Sequence, residues 1–176
     1  MQLIKQLVGG RMDSILISHT LKFNEAITEL FKLKHHESAL MLIYAFIDRM
    51  AWVSVEGEAD NTHFKAWVNQ YLLPNGNFLC SADDLWGARC ALLHTGSVES
   101  RDSKKGRAKK VLYHGSAVSI KSDSVPVDRV FVDVGMLHTS LIAAISDFNE
   151  DLKRNAEKLT TANLKLSSVI KRYEHS

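Results

Sequence analysis

Hydrophobic positions fall at helical spacing through most of the chain. Leu16, Phe23, Ile27 and Leu30 share one face of a helix expected from about residue 13 or 14 to 34, with Glu25, Glu29 and Lys32 elsewhere. Residues 38–55 are almost wholly apolar, broken only at Asp48 and Arg49, and read as the central core helix, ended by Gly57. Asn61 is placed to cap a third helix reaching Leu73. Phe64, Trp67, Val68 and Tyr71 point inward on it, and Pro74 lies beyond its end, opening a turn over 74–77. Residues 81–96 form the fourth expected helix. Ser81 and Asp84 make a capping-box pattern, Asp83 and Asp84 suit the positive end of the dipole, and Gly96 suits the stop. Inside it Leu85, Trp86, Ala88, Cys90, Ala91, Leu92 and Leu93 cover every face, which predicts a buried helix.

The pattern then changes. Residues 97–110 carry Arg101, Lys104, Lys105, Arg107, Lys109 and Lys110 and no large apolar group after Val98, so a mobile basic loop is expected. Residues 111–114 and 129–134 alternate as strands do, with turn-forming residues 122–128 between them. They predict a small β-hairpin, the first strand of which Val118 and Ile120 would extend. Leu137, Leu141, Ala144, Ile145, Phe148 and Leu152 restore the helical period. Thr160 and Thr161 are the expected interruption before a last segment with Leu164, Val169 and Ile170. Residues 1–12 read as a short leader, helical or irregular, ending near Gly9 and Gly10. The expected fold is mainly α, a helical bundle with residues 97–134 inserted as basic loop and hairpin before the C-terminal helix.

Composition narrows the classes. A chain of 176 residues, 45% hydrophobic and 24% charged, fits one globular domain over residues 1–176. The net charge of +2 is too small to signal a nucleic-acid binder by itself, so any basic argument is local. Two cysteines, Cys80 and Cys90, make neither a disulfide framework nor a zinc site, and reduced thiols in a cytoplasmic protein are expected. The start lacks a signal-peptide core, and no run approaches the roughly 18 apolar residues of a membrane span, so no membrane is expected. No metal and no cofactor are implied.

The chemistry lies in Arg89 and His94, the only long polar side chains inside the fourth helix. Five positions apart, they differ by about 140° of rotation and roughly 7.5 Å of rise. They are not helix neighbours, but they can approach one phosphate from two sides. Histidine can take the proton of an RNA 2′-hydroxyl, and guanidinium can hold the phosphate as charge builds on it. A guanidinium in apolar surroundings needs a partner, and Asp48 and Asp84 are the carboxylates considered for orienting the pair. Asp48 has a plainer alternative, an ion pair with Arg49 or with a neighbouring helix.

With these residues, the chain resembles the HEPN superfamily. The segment DDLWGARCALLHTG is similar to that family's motif helix, an Arg and then a His near a helix end, and ALMLIYAFIDRMAW resembles the apolar helix packed beside it. The resemblance covers about residues 14–95 and, more loosely, the C-terminal helix. It implies a HEPN-like bundle that dimerises so that two motifs face one cleft. It also implies a metal-independent RNA endonuclease of the toxin or host-defence kind, with an antitoxin protein as a candidate partner. Arg89 would then bind the phosphate and His94 would be the acid and base. Separately, the charge of the basic loop makes Lys104, Lys105 and Arg107 an expected RNA-binding rim, with a solvated charge run that binds nothing as the alternative. The residue after the motif Arg is commonly polar, often Asn, and here it is Cys90, which lacks a carboxamide's hydrogen bonds. The alternative is therefore a non-catalytic HEPN-like dimer that binds a nucleotide, RNA or a partner protein. A third reading is a helical scaffold, in which Arg89 pairs with a core acid and His94 caps the helix end.

Overall fold

The long apolar run becomes α2 (His36–Val53), the spine of the molecule, with Ile43, Tyr44, Phe46, Ile47 and Met50 fully buried. A computed structural model describes residues 15–115 and 125–169. Before α2 comes α1 (Ile15–Lys32), joined to it by a tight turn in which Lys34 takes a left-handed conformation at φ 61°. The two helices are pinned by Phe23 lying flat on Phe46, ring centroids 4.3 Å apart. The third helix is capped by Asp60 rather than Asn61, and runs as α3 (Asn61–Trp67). It passes into one π turn (Val68–Leu72) and a 3-10 turn (Leu73–Asn75). Pro74 explains the widening. In a regular α-helix its ring would strike the carbonyl of Gln70, four residues back. Instead the Leu73 N–H bonds the Val68 carbonyl, five residues back.

The fourth helix, α4 (Ala82–Thr95), is followed by a one-turn α5 (Arg101–Lys104), the strands β1 (Lys110–His114) and β2 (Arg129–Asp133), then α6 (Val134–Lys153) and α7 (Ala156–Ser168). The described residues are thus mainly helical with one small sheet, as the periodicity implies. Val111, Val130, Val132 and Val134 join the common core beside Leu137, Leu141 and Ile145 of α6. Each such aliphatic side chain contributes about 1.5–3 kcal/mol when fully buried.

Three expectations need correction. The strands do not form a hairpin: they pair in parallel, from Lys110 opposite Arg129 to His114 opposite Asp133. Alternation identifies a strand but not its direction, and residues 115–128 are long enough for the crossover that parallel strands require. The basic stretch is not an unpacked loop. Ser100, itself buried, makes a capping box with Ser103, and the Arg107 N–H returns to the Asp102 carbonyl at 2.9 Å. The last helices break at Arg154 and Asn155, where Asn155 caps α7 through the Lys158 N–H, and not at Thr160. The Thr160 hydroxyl instead donates back to the Ala156 carbonyl within α7. The leader over 1–12, Val118, Ile120 and Ile170 lie outside the described residues.

Candidate functional site

The ends of α4 form as its sequence dictates. The Ser81 hydroxyl accepts from the Asp84 N–H, the Asp84 carboxylate accepts from the Ser81 N–H at 2.9 Å, and Gly96 closes the helix at φ 61°. Its faces are less uniform than its composition. Ala82, Leu85, Ala88, Ala91 and Leu92 are buried, whereas Trp86, Arg89, Cys90 and Leu93 are only half-buried and share one stripe, with His94 exposed at its end.

Arg89 reaches two partners from that stripe. Its Nε and Nη2 both approach Asp48 Oδ2, at 2.8 and 2.7 Å, and its Nη1 lies 3.1 Å from His94 Nε2. A guanidinium has five N–H donors and no acceptor, so His94 must accept here through Nε2, with its ring proton on Nδ1. Asp48 and His94 take three of these donors, and the Cys90 side chain also interacts with the guanidinium. Burial opposes the charge on Arg89, but the hydrogen bond and charge of Asp48 outweigh it and raise the pKa above the ordinary arginine value. The pair is not sealed: the side chains keep 21% and 27% of their surface in water. The guanidinium also lies over the Trp86 ring, 5.2 Å from its centroid.

The other expected residues divide. Asp48 touches Arg89, and no ion pair joins it to Arg49 among the described residues. Asp84 does not take part. It is buried, and its second oxygen accepts the Lys109 N–H at 2.5 Å, tying β1's approach to the start of α4. Cys90 sits beside Arg89, and burial raises its thiol pKa, with Arg89 pulling the other way. Cys80 is more strongly affected, pushed up to about 12 by burial and by the charge of Asp84.

A cleft of about 820 Å³ opens between α4 and the α5 segment. Cys90, His94, Lys104, Lys105 and Arg107 all line it, so the basic stretch and His94 face one space, whereas Arg89 is not among its lining residues. Periodicity alone missed Trp86 and Asp102, which also line it. Trp86 was legible as the residue one turn before Arg89 on the same face. Asp102 was not: the fold of the segment turns it onto Arg107, so that this cation is already paired. Among the described residues, no group of three His, Cys, Asp or Glu is placed to hold a metal, and no helix is long and apolar enough to cross a membrane. No protein-family model, curated protein or solved structure matches the chain.

Proposed function

We propose that the chain is a metal-independent RNA endonuclease of HEPN type that works as a homodimer. The observation that supports this most is Arg89, held by Asp48 and within hydrogen-bond reach of His94. In this reading Arg89 Nη1 turns from His94 Nε2 to the phosphate, the freed Nε2 takes the proton of a 2′-hydroxyl, the oxygen attacks the adjacent phosphorus, and the 5′-oxygen leaves with a proton returned by the imidazolium. The donors of Arg89 that Asp48 does not hold bind the non-bridging oxygens as their charge grows. The substrate supplies the nucleophile and the protein supplies the cation. The half-buried stripe of Trp86, Cys90 and Leu93 is the surface through which a second copy would bring its own motif to the cleft. A cytoplasmic toxin or defence effector restrained by an antitoxin protein fits this chemistry.

A second reading has its own support. Asp48 neutralises Arg89 and occupies two of its donors, and Cys90 offers no carboxamide beside it. A dimeric module that binds RNA, a nucleotide or a partner protein without cutting needs no more than this.

The test is cleavage of mixed-sequence RNA by the purified chain. His94→Ala and Arg89→Ala should each abolish most cleavage without unfolding the chain, EDTA should leave it intact, and DNA should survive. The products should end in a 2′,3′-cyclic phosphate or its hydrolysis product. Cleavage that persists in His94→Ala would assign the chemistry elsewhere. Binding without cleavage by a folded dimer would establish the second reading.

A further inference from the structure

The last helix meets the end of α2 across a gap. Of the 13 residues of α7, Ala162 and Leu166 are buried, whereas α6 buries nine of 20, so α7 draws far less on the common core. A cleft of about 380 Å³ lies between the end of α2, at Val53 and Val55, and the first turns of α7, at Glu157, Lys158 and Thr161. Apolar packing therefore does not join the two helices along this half of α7. Asn155 borders the same cleft in an extended conformation, φ −132° and ψ 100°, and breaks the path from α6 to α7.

The other half of α7 is held by Lys165. Its Nζ donates to the carbonyls of Trp52, Val55 and Gly57, at 2.8, 2.6 and 2.6 Å, and lies 4.8 Å from the centroid of the Trp52 ring. An ammonium has three N–H donors, so every one is used. The acceptors are those a helix end leaves over. Trp52 lies in the last turn of α2, where carbonyls lack an intrahelical partner and the dipole favours a cation. Gly57, left-handed at φ 68°, closes the turn that gathers the three carbonyls. Glu58 and Glu56 add negative charge beside the ammonium. On the α1 side, one polar contact between His19 and the Leu166 backbone holds the same turn of α7.

From this arrangement we propose that α7 is a strap that opens as one unit, hinged at Arg154 and Asn155 and latched by the ammonium of Lys165. The latch works through charge and donor number together. A neutral side chain at 165 leaves the three carbonyls to water, and α7 then rests on Ala162, Leu166 and the partly buried Leu159. Opening uncovers the part of the core that these residues close, while α2 and α6 keep their own packing through Ile43, Ile47, Leu141 and Phe148. The strap is remote in sequence from Arg89 and His94, and the proposal does not depend on ribonuclease activity.

The experiment is amide hydrogen exchange of the whole chain at several low urea concentrations, followed residue by residue. In the parent chain the amides of residues 160–167 should share one opening equilibrium, easier than global unfolding and only weakly dependent on urea, because little surface is exposed. Amides of residues 43–50 and 141–148 should exchange by global unfolding. Lys165→Met keeps the aliphatic stem and removes the ammonium. It should speed exchange over 160–167 roughly tenfold or more, the scale of lost charged hydrogen bonds, and leave the difference between this segment and the α2 amides correspondingly wider. Lys165→Gln, which keeps two N–H donors without the charge, should act in the same direction by a smaller factor and serves where Lys165→Met does not fold. Lys158→Met, an exposed change on the same helix, should alter nothing. Exchange of 160–167 only through global unfolding in the parent overturns the strap. Exchange unchanged by either Lys165 variant, or raised equally in α2 and α7, overturns the latch.

Discussion

Arg89 Nη1 and His94 Nε2 lie 3.1 Å apart, although five positions on one helix separate the residues. The backbone places their Cβ atoms on different faces. The contact exists because arginine is long enough to run along the groove, and because Asp48 on α2 holds the other edge of its guanidinium in place. Two helices are therefore needed to make a pair that one helix carries.

Removing Asp48 should expose that dependence. Asp48→Ala leaves a half-buried guanidinium without its acid, and should cost about 1–3 kcal/mol of stability by urea denaturation. In the double variant with Arg89→Met the two losses should not add, since both break one interaction. Additive losses would show that Asp48 acts on something other than Arg89.

The rim of the cleft should act through charge. Arg107 is paired with Asp102, whereas no ion pair engages Lys104 or Lys105 among the described residues. Changing both lysines to Ser should weaken binding of single-stranded RNA and lower its salt slope by roughly 1.4, the release expected for two phosphate contacts. Arg107→Ser alone should change the slope less. Fluorescence anisotropy at several salt concentrations measures both.

The rim is held in place through Gly87. A Cβ there would come within 3.1 Å of the Ser100 hydroxyl and 3.2 Å of the Ala108 Cβ. Gly87→Val should overpack this contact, cost about 1–3 kcal/mol and push the segment off α4. Trypsin should then cut after Lys104 or Lys105 faster than in the parent chain, at temperatures where both remain folded.

Stability should also carry a signature from His138. This ring packs on Phe31, with Asn24 Oδ1 3.0 Å from its Nε2, and burial lowers its pKa. The unfolded chain therefore binds a proton here before the folded one does. The stabilisation is complete above the ordinary histidine range and is lost as pH falls through the depressed folded value. His138→Gln should flatten the decline in urea midpoint between pH 7.5 and 5. An unchanged slope would assign the decline to other groups.

Much of this was legible in the chain. Ser81, Asp84 and Gly96 fix the ends of α4 through local backbone chemistry, and the apolar run of α2 announces the spine. Arg89 and His94 were recognisable as polar side chains in apolar company. The partners were harder, because they depend on how elements meet. Asp48 had Arg49 beside it in sequence but pairs across to α4, since adjacent positions on a helix do not face each other. Asp84 was a plausible mate for Arg89, yet two backbone N–H groups occupy it. The direction of β2 against β1 is a property of the crossover and not of either strand's residues. The packed state of the basic stretch rests on Ser100 and Gly87, two small residues with no hydrophobic signal.

The π turn after α3 amounts to a phase correction. An α-helix advances about 100° per residue, so one extra residue in a turn rotates everything beyond it by a comparable step. That rotation brings Asn75 to α6, where its amide reaches Asp147 at 2.6 Å and its carbonyl accepts the Ser140 hydroxyl at 2.8 Å. Asn69 and Gln70, within the turn, are exposed. Substituting either leaves the phase untouched, whereas deleting either resets it and carries Asn75 off α6. In this stretch the fold is sensitive to the number of residues and nearly indifferent to what the exposed ones are. Sequence drift here should appear as free exchange of side chains at constant length.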